Sequence, residues 1–295
     1  MTRYEPAIDL DAITAIDVHV HIEVDHHGHS SLPDDLRDAA AKYFSTDGPN
    51  PDLDGVAAYY RERRMAAVVF TVDARTNFGH APLSSADIAE GAARNNDVLI
   101  PFGSVDPLSP TAVDDARRLI EDHGVRGFKF HPTVQGFDPS DPTYSPLYET
   151  LQHAGVVALF HTGQTGIGAG LPGGRGLLLG LSNPMLLDPV AARFPELQII
   201  MAHPSVPWQD EALSVATHKH NTWIDLSGWS PKYFPESLVR AANSYLKNRV
   251  LFGSDFPLLT PDRWMRDAET AGSFKPEVMP GILKDNAVRL LGLAG

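Results

Sequence analysis

A single-domain α/β chain folded as a (β/α)8 TIM barrel is what this sequence predicts, on three observations. Eight short runs rich in β-branched and other apolar residues recur with stretches of helical period between them, the pattern of βα units around a parallel sheet. Eight strands are the number that closes such a barrel, and 295 residues suit one barrel domain, which takes about 250 or more. The first, fifth, sixth and eighth runs end in, or are followed at once by, histidine or aspartate, on the edge where a parallel barrel carries its chemistry.

In chain order the strand-like runs lie at 14–21, 66–72, 98–102, 125–131, 156–161, 198–203, 222–226 and 249–254. Segments 85–95, 112–123, 146–154 and 235–246 space their apolar residues at helical period and read as the outer ring. After the eighth strand, 262–271 and 277–291 read as closing helices, the second breaking near Lys284. Glycine and proline clusters at 30–54 and 163–184 follow histidine-ending strands and read as long loops at the catalytic face. With no internal repeat, low-complexity tract or shift in composition, residues 1–295 form one domain.

Hydrophobic residues make up 43% and charged residues 21% of the chain, enough apolar surface for a large core. The formal charge of -13 opposes nucleic acid and anionic membrane surfaces, both of which need a basic footprint. The absence of cysteine excludes disulfides and leaves only nitrogen and oxygen donors for a metal. Residues 1–11 carry Arg3, Glu5, Asp9 and Asp11 without the apolar core of a signal peptide, and no later run reaches about 18 apolar residues. A cytoplasmic enzyme acting on a small molecule is the expectation.

The first strand ends Asp17-Val18-His19-Val20-His21. Period-2 alternation places Asp17, His19 and His21 on one face, where two imidazoles can converge on one ion. Ordinary polar residues at a strand end are the competing reading of that motif alone. The fifth strand ends Phe160-His161-Thr162-Gly163, the sixth Ala202-His203-Pro204, and the eighth Gly253-Ser254-Asp255-Phe256-Pro257. In a parallel barrel these ends open on a single face, so the four together point to a metal site.

With Gly127-Phe128-Lys129-Phe130-His131-Pro132, these motifs resemble the amidohydrolase superfamily nearly end to end. Within it they are similar to the branch typified by aminocarboxymuconate semialdehyde decarboxylase, and most of all to a group of hydroxyphenyl β-ketoacyl-CoA hydrolases. The resemblance implies that His19, His21, His161 and Asp255 hold one divalent ion, zinc first, with manganese or iron as alternatives. It makes His203 the catalytic histidine, with Asp255 both touching the metal and orienting water, and it implies a homodimer. Some binuclear relatives carboxylate a lysine at the end of the fourth strand; here Lys129 reads as a contact to a substrate anion or as structural. His131 reads as structural.

Other candidates are weaker. Asp25-His26-His27-Gly28-His29 looks like an exposed loop at the substrate entrance rather than a second metal site. His123, His153, His218 and His220 read as surface residues. Arg75 is placed to hold a carboxylate, the glycine-rich 163–176 loop with Gln164 and Arg175 reads as a lid or anion cradle, and Trp229 reads as a stacking platform for an aromatic substrate or as loop packing.

Three functions follow. The first is hydrolysis of an activated carbonyl, such as an ester, a lactone or a β-ketoacyl thioester cleaved between carbons, by water whose pKa the metal lowers from about 15.7 towards 7. The second is nonoxidative decarboxylation of an aromatic or muconate-type acid, with Arg75 or Arg175 fixing the carboxylate. The third is a non-catalytic metal-binding barrel, against which His203 and the long mouth loops argue.

Overall fold

The computed structural model describes residues 2–44 and 50–293; residues 45–49 of the expected loop 30–54 lie outside them. Eight parallel strands follow one another in sequence order. They are β1 (Ala15–His21), β2 (Met65–Phe70), β3 (Leu99–Gly103), β4 (Gly127–Phe130), β5 (Val157–His161), β6 (Ile199–Ala202), β7 (Thr222–Asp225) and β8 (Val250–Leu251). The ring closes where Val18 N donates to Phe252 O at 3.0 Å and His21 N to Phe256 O at 2.8 Å.

Strands covered on both faces read as nearly continuous apolar runs, and Met65–Phe70 is buried at every position. Ile16, Val18, Phe70, Phe102, Leu159 and Ile200 fill the barrel. Val20, Val69, Phe128, Phe160 and Phe252 face the surrounding helices. Those helices are α1 (Asp34–Phe44), α2 (Leu53–Glu62), α3 (Ser85–Arg94), α4 (Ala112–Glu121), α5 (Ser145–Ala154), α6 (Asp188–Arg193), α7 (Gln209–His218), α8 (Glu236–Ala242), α9 (Pro261–Ala271) and α10 (Asn286–Leu291). A wide helical turn at Gly281–Asp285 precedes α10, and Lys284 in it donates to Leu10 O and Ile13 O. Among the described residues no helix is long and apolar enough to cross a membrane.

The structure departs from the sequence reading in four places. The stretch 30–54 is not all loop, because α1 buries Leu36 and Ala40 one turn apart and carries Asp34 and Asp35 in its first turn, which favours the helix N-terminus. His123 is buried rather than at the surface, since the N-terminal segment crosses it and Tyr4 N donates to His123 O at 2.9 Å. Several ladders stop before the chemistry begins, leaving His131, His203 and Ser254 outside β4, β6 and β8.

The fourth departure concerns β1. A bulge shifts its register between Asp17 and Val20, and a bulge re-aims side chains on either side of it. His19 and His21 face the barrel, but Asp17 faces the helical layer, where Tyr60 OH donates to it at 2.7 Å. Asp17 also accepts from Ser254 N at 2.9 Å and from His19 N at 3.1 Å. It ties β1 to the end of β8 at the closure instead of joining the histidines.

Candidate metal centre

The strand ends bring His19, His21, His161, His203, Asp255 and Lys129 together. His19 Nε2 lies 3.2 Å from His21 Nε2, and Asp255 Oδ1 lies 3.2 Å and 3.3 Å from those two nitrogens. His203 Nε2 lies 2.9 Å from His161 Nδ1. Donor atoms of His19, His203 and Asp255 all fall within 4.8 Å of one another.

The outer partners decide which nitrogen of each ring faces inward. His19 Nδ1 is 2.9 Å from the Asp225 carboxylate and His21 Nδ1 is 3.3 Å from that of Glu23, so each ring is held at Nδ1 and turns Nε2 inward. Carboxylates holding ligand histidines in this way are the usual support of a metal site. Asp225 also accepts from His203 N at 3.2 Å and Ser227 N at 2.9 Å. Ser227 Oγ in turn lies 2.9 Å from His203 Nδ1, fixing the ring that reaches His161.

Two residues of the centre sit in left-handed backbone, His203 at φ 72° and Asp255 at φ 73°. This conformation costs a non-glycine residue on the order of 1–3 kcal/mol and persists where the surroundings over-determine it. It turns both side chains from the strand ends into the barrel mouth. Gly228, at φ 74°, is required beside them, because a Cβ there would come within 2.7 Å of His203 Nδ1.

Burial and neighbouring charge set the protonation states. Burial, with the Lys129 charge, pushes His19 down to about 3. Burial and neighbouring cations hold His131 and His161 well below the ordinary imidazole range, and burial lowers His203. His21 is raised: burial opposes its charge, but the hydrogen bonds to Asp255 and Glu23 outweigh it. Burial opposes the charge of Asp255 and Asp225 too, yet their imidazole partners hold both well below the usual carboxylate range. Burial lowers Lys129 to about 8.

These residues fit a divalent ion. Neutral imidazoles and an ionised carboxylate are the ligand forms of these side chains, and their lone pairs converge. His161 Nε2 is buried and finds no hydrogen-bond partner among the described residues, although buried polar atoms are normally paired.

Lys129 is fully buried, with Nζ 2.9 Å from His19 Nε2. It is absent from the residues that line the cleft. His131 stacks on His161 with ring centres 3.8 Å apart and accepts from Val134 N at 3.4 Å, capping a single helical turn.

The remaining substrate candidates lie elsewhere. Arg75 folds back onto Asp73 at 2.5 Å, which commits its guanidinium two residues away. Arg175 pairs with Asp35 on α1 at 2.7 Å and sits over the Phe78 ring. Trp229 is half-buried and outside the residues that line the cleft; the loop after β7 contributes Gly228 instead. The glycine-rich loop does reach the cleft, through Gln164, Thr165, Gly166 and Ile167, but Gly163 N and Gln164 N are already donated to Ser182 O and Val206 O.

The sequence reading missed Asp225, Ser227 and Glu23. Asp225 carried a usable signal, an acidic residue at the end of a barrel strand. Glu23 carried a weaker one, two residues beyond His21 on the same face.

The chain belongs to the amidohydrolase family, whose model, described as Amidohydrolase, matches residues 16–293. It is an enzyme of the amidohydrolase superfamily. The fold is similar to an uncharacterised TIM-barrel protein from Bordetella bronchiseptica, at TM-score 0.74 and 22% identity, covering 95% of this chain and 99% of that one. It is also similar to 5-carboxyvanillate decarboxylase from Novosphingobium aromaticivorans complexed with manganese, at TM-score 0.66 and 15% identity, covering 99% of each chain. A third similar structure is a probable 2-pyrone-4,6-dicarboxylic acid hydrolase from Acinetobacter baumannii, at TM-score 0.61 and 16% identity, covering 95% of this chain and 100% of that one. No curated protein matches at a significant level.

Neutral buried imidazoles make the metal-free protein acid-sensitive. Between pH 6.5 and the depressed folded values, an unfolded chain protonates His19, His131, His161 and His203 while the folded chain does not. Stability present above pH 6.5 is therefore lost as pH falls below it, by up to about 1.4 kcal/mol per pH unit for each group. His21, raised in the fold, has the opposite sign but acts only above pH 6.5, while Asp17, raised by burial from 3.8 to about 6, offsets one of the four between those two values. Urea unfolding of chelator-treated protein should show a midpoint that falls steeply from pH 7 to pH 5. A flat midpoint across that window would mean the rings are not buried in the neutral form.

Proposed function

We propose that the protein is a metal-dependent hydrolase of activated carbonyl compounds, an ester, a lactone or a β-ketoacyl compound cleaved between carbons, in the breakdown of aromatic compounds. His19, His21, His161 and Asp255 hold one divalent ion, zinc first by their nitrogen-rich donor set and manganese or iron next. Such an ion supplies Lewis acidity, which polarises a carbonyl and lowers the pKa of water.

The residues around it divide the remaining work. Asp255 stays ionised at working pH; with Oδ1 towards His19 and His21, its Oδ2 on the Gly228 side orients the attacking water. His203, held at Nδ1 by Ser227, turns Nε2 inward to take a proton from that water and return it to the leaving group. Phe44, Ile167 and Leu258 flank the cleft and exclude bulk water.

The observation that carries this reading is the charge of the cleft. Among the described residues that line it there is no lysine or arginine, while Glu23 and Asp255 are acidic. A substrate carboxylate would meet those charges at the cleft wall, with the nearby cation Lys129 fully buried beside His19 Nε2 and off that wall, whereas an uncharged carbonyl meets no such repulsion. Decarboxylation is the second reading, because a solved neighbour is a 5-carboxyvanillate decarboxylase and a metal can itself hold a carboxylate.

Mass spectrometry of a mixed pool of esters, lactones, β-ketoacyl thioesters and hydroxybenzoates incubated with metal-loaded enzyme separates the two. Products whose summed mass exceeds the substrate by one water are expected. Loss of carbon dioxide with no water added would overturn hydrolysis in favour of decarboxylation.

A further inference from the structure

The cleft above the histidines encloses about 100 Å³. That is room for a reacting group, whereas pockets that take a whole drug-sized ligand measure about 300–1,000 Å³. Glu23, Ile167 and Leu258 on its wall also line a second cavity of about 710 Å³. This cavity lies between the β1–α1 loop, α1 and the segment after β8. Its apolar lining includes Val24, Leu32, Ala41 and Pro257.

The charge on this second cavity is also informative. Asp25, Asp38 and Asp52 line it, and its one cation among the described residues, Arg37, is already paired with Asp34 at 2.9 Å and Asp38 at 3.6 Å. A polyanionic tail would be repelled there, while an uncharged apolar chain would gain by leaving water. The small side chains of Ala40 and Ala41 leave that space open on the α1 side.

We propose that this cavity is a distal subsite for the non-reacting end of an elongated substrate, an uncharged alkyl or arylalkyl chain whose reacting group sits at the histidines. It rests on the hydrolase reading only for the identity of that group. Ala41 and Leu32 contribute to the distal cavity and are absent from the lining of the cleft, so they separate chain recognition from metal binding.

The test is titration calorimetry of zinc-loaded protein with acetohydroxamate, hexanohydroxamate and octanohydroxamate, which anchor at a metal and differ in chain length. Each methylene buried should tighten binding by about threefold to fourfold. In Ala41→Trp and, separately, Leu32→Asp, the octano-to-aceto affinity ratio should fall about tenfold or more. A chain of equal length ending in a carboxylate should lose the gain in the parent protein.

Equal affinities along the series, or a ratio unchanged in both variants, would overturn the subsite. Equal gain from the carboxylated chain would overturn its preference for an uncharged tail. Binding that grows with length in a protein that adds water to no carbonyl compound would uphold the subsite and remove the hydrolase reading. Hydrolysis of short carbonyl compounds with no gain from length would do the reverse.

Discussion

Asp255→Asn protein is expected to fold, to purify with little bound metal, and to lose at least about a thousandfold in turnover, the scale on which removal of one member of a catalytic unit acts. Asparagine has nearly the same shape and tolerates the left-handed backbone that Asp255 adopts, so the fold should survive. What changes is charge: a neutral amide faces the lone pairs of His19 and His21 where an ionised carboxylate stood. His203→Asn, also compatible with its left-handed backbone, should keep the metal and lose about 10²–10⁴-fold in turnover, the range for a general acid–base group.

Metal analysis of the two purified variants beside the parent decides the assignment. His203 Nε2 is 2.9 Å from His161 Nδ1, so its position alone allows a ligand role as well. Loss of metal from His203→Asn would make it a ligand, and full metal content in Asp255→Asn would remove Asp255 from the set.

Substitution of Asp225, which the cleft does not expose, should have the second-largest effect, with different consequences for two variants. Asp225→Ala leaves His203 N, Ser227 N and His19 Nδ1 without their buried acceptor. Each unsatisfied group costs about 1–3 kcal/mol, so a loss of several kcal/mol in urea unfolding is expected. Asp225→Asn can still accept from the two backbone N–H groups, but its NH₂ then faces His19 Nδ1. The ring must take the other tautomer and turn an N–H, not a lone pair, towards Asp255.

That variant should therefore stay folded, with a smaller loss of stability than Asp225→Ala, and bind metal about 10–100-fold more weakly, the usual effect of losing the outer partner of a ligand histidine. A chelator competition titration measures it. Unchanged metal affinity in Asp225→Asn would show that His19 does not ligate through Nε2.

The amino-acid sequence by itself determined the barrel, because strands buried on both faces must be written as short apolar runs, and eight of them in order leave one simple closure. It also determined the centre's inner residues, since His19, His21, His161, His203 and Asp255 stand at strand ends that a parallel barrel gathers on one rim. Only the tertiary structure decided the rest. The β1 bulge sent Asp17 to Tyr60 and away from the histidines, a change of parity that no alternating pattern reveals. Asp225 and Glu23 acquired their roles from the rings they face, and Asp225 stands 206 positions from its ring in the chain. Arg75 and Arg175, read from the sequence as groups to fix a substrate carboxylate, pair in the fold with Asp73 and Asp35, because a long charged side chain settles on the nearest carboxylate its backbone allows. Side-chain types at strand ends are written locally, whereas the partner of a charge is set by three-dimensional neighbours, and that is where the two readings part.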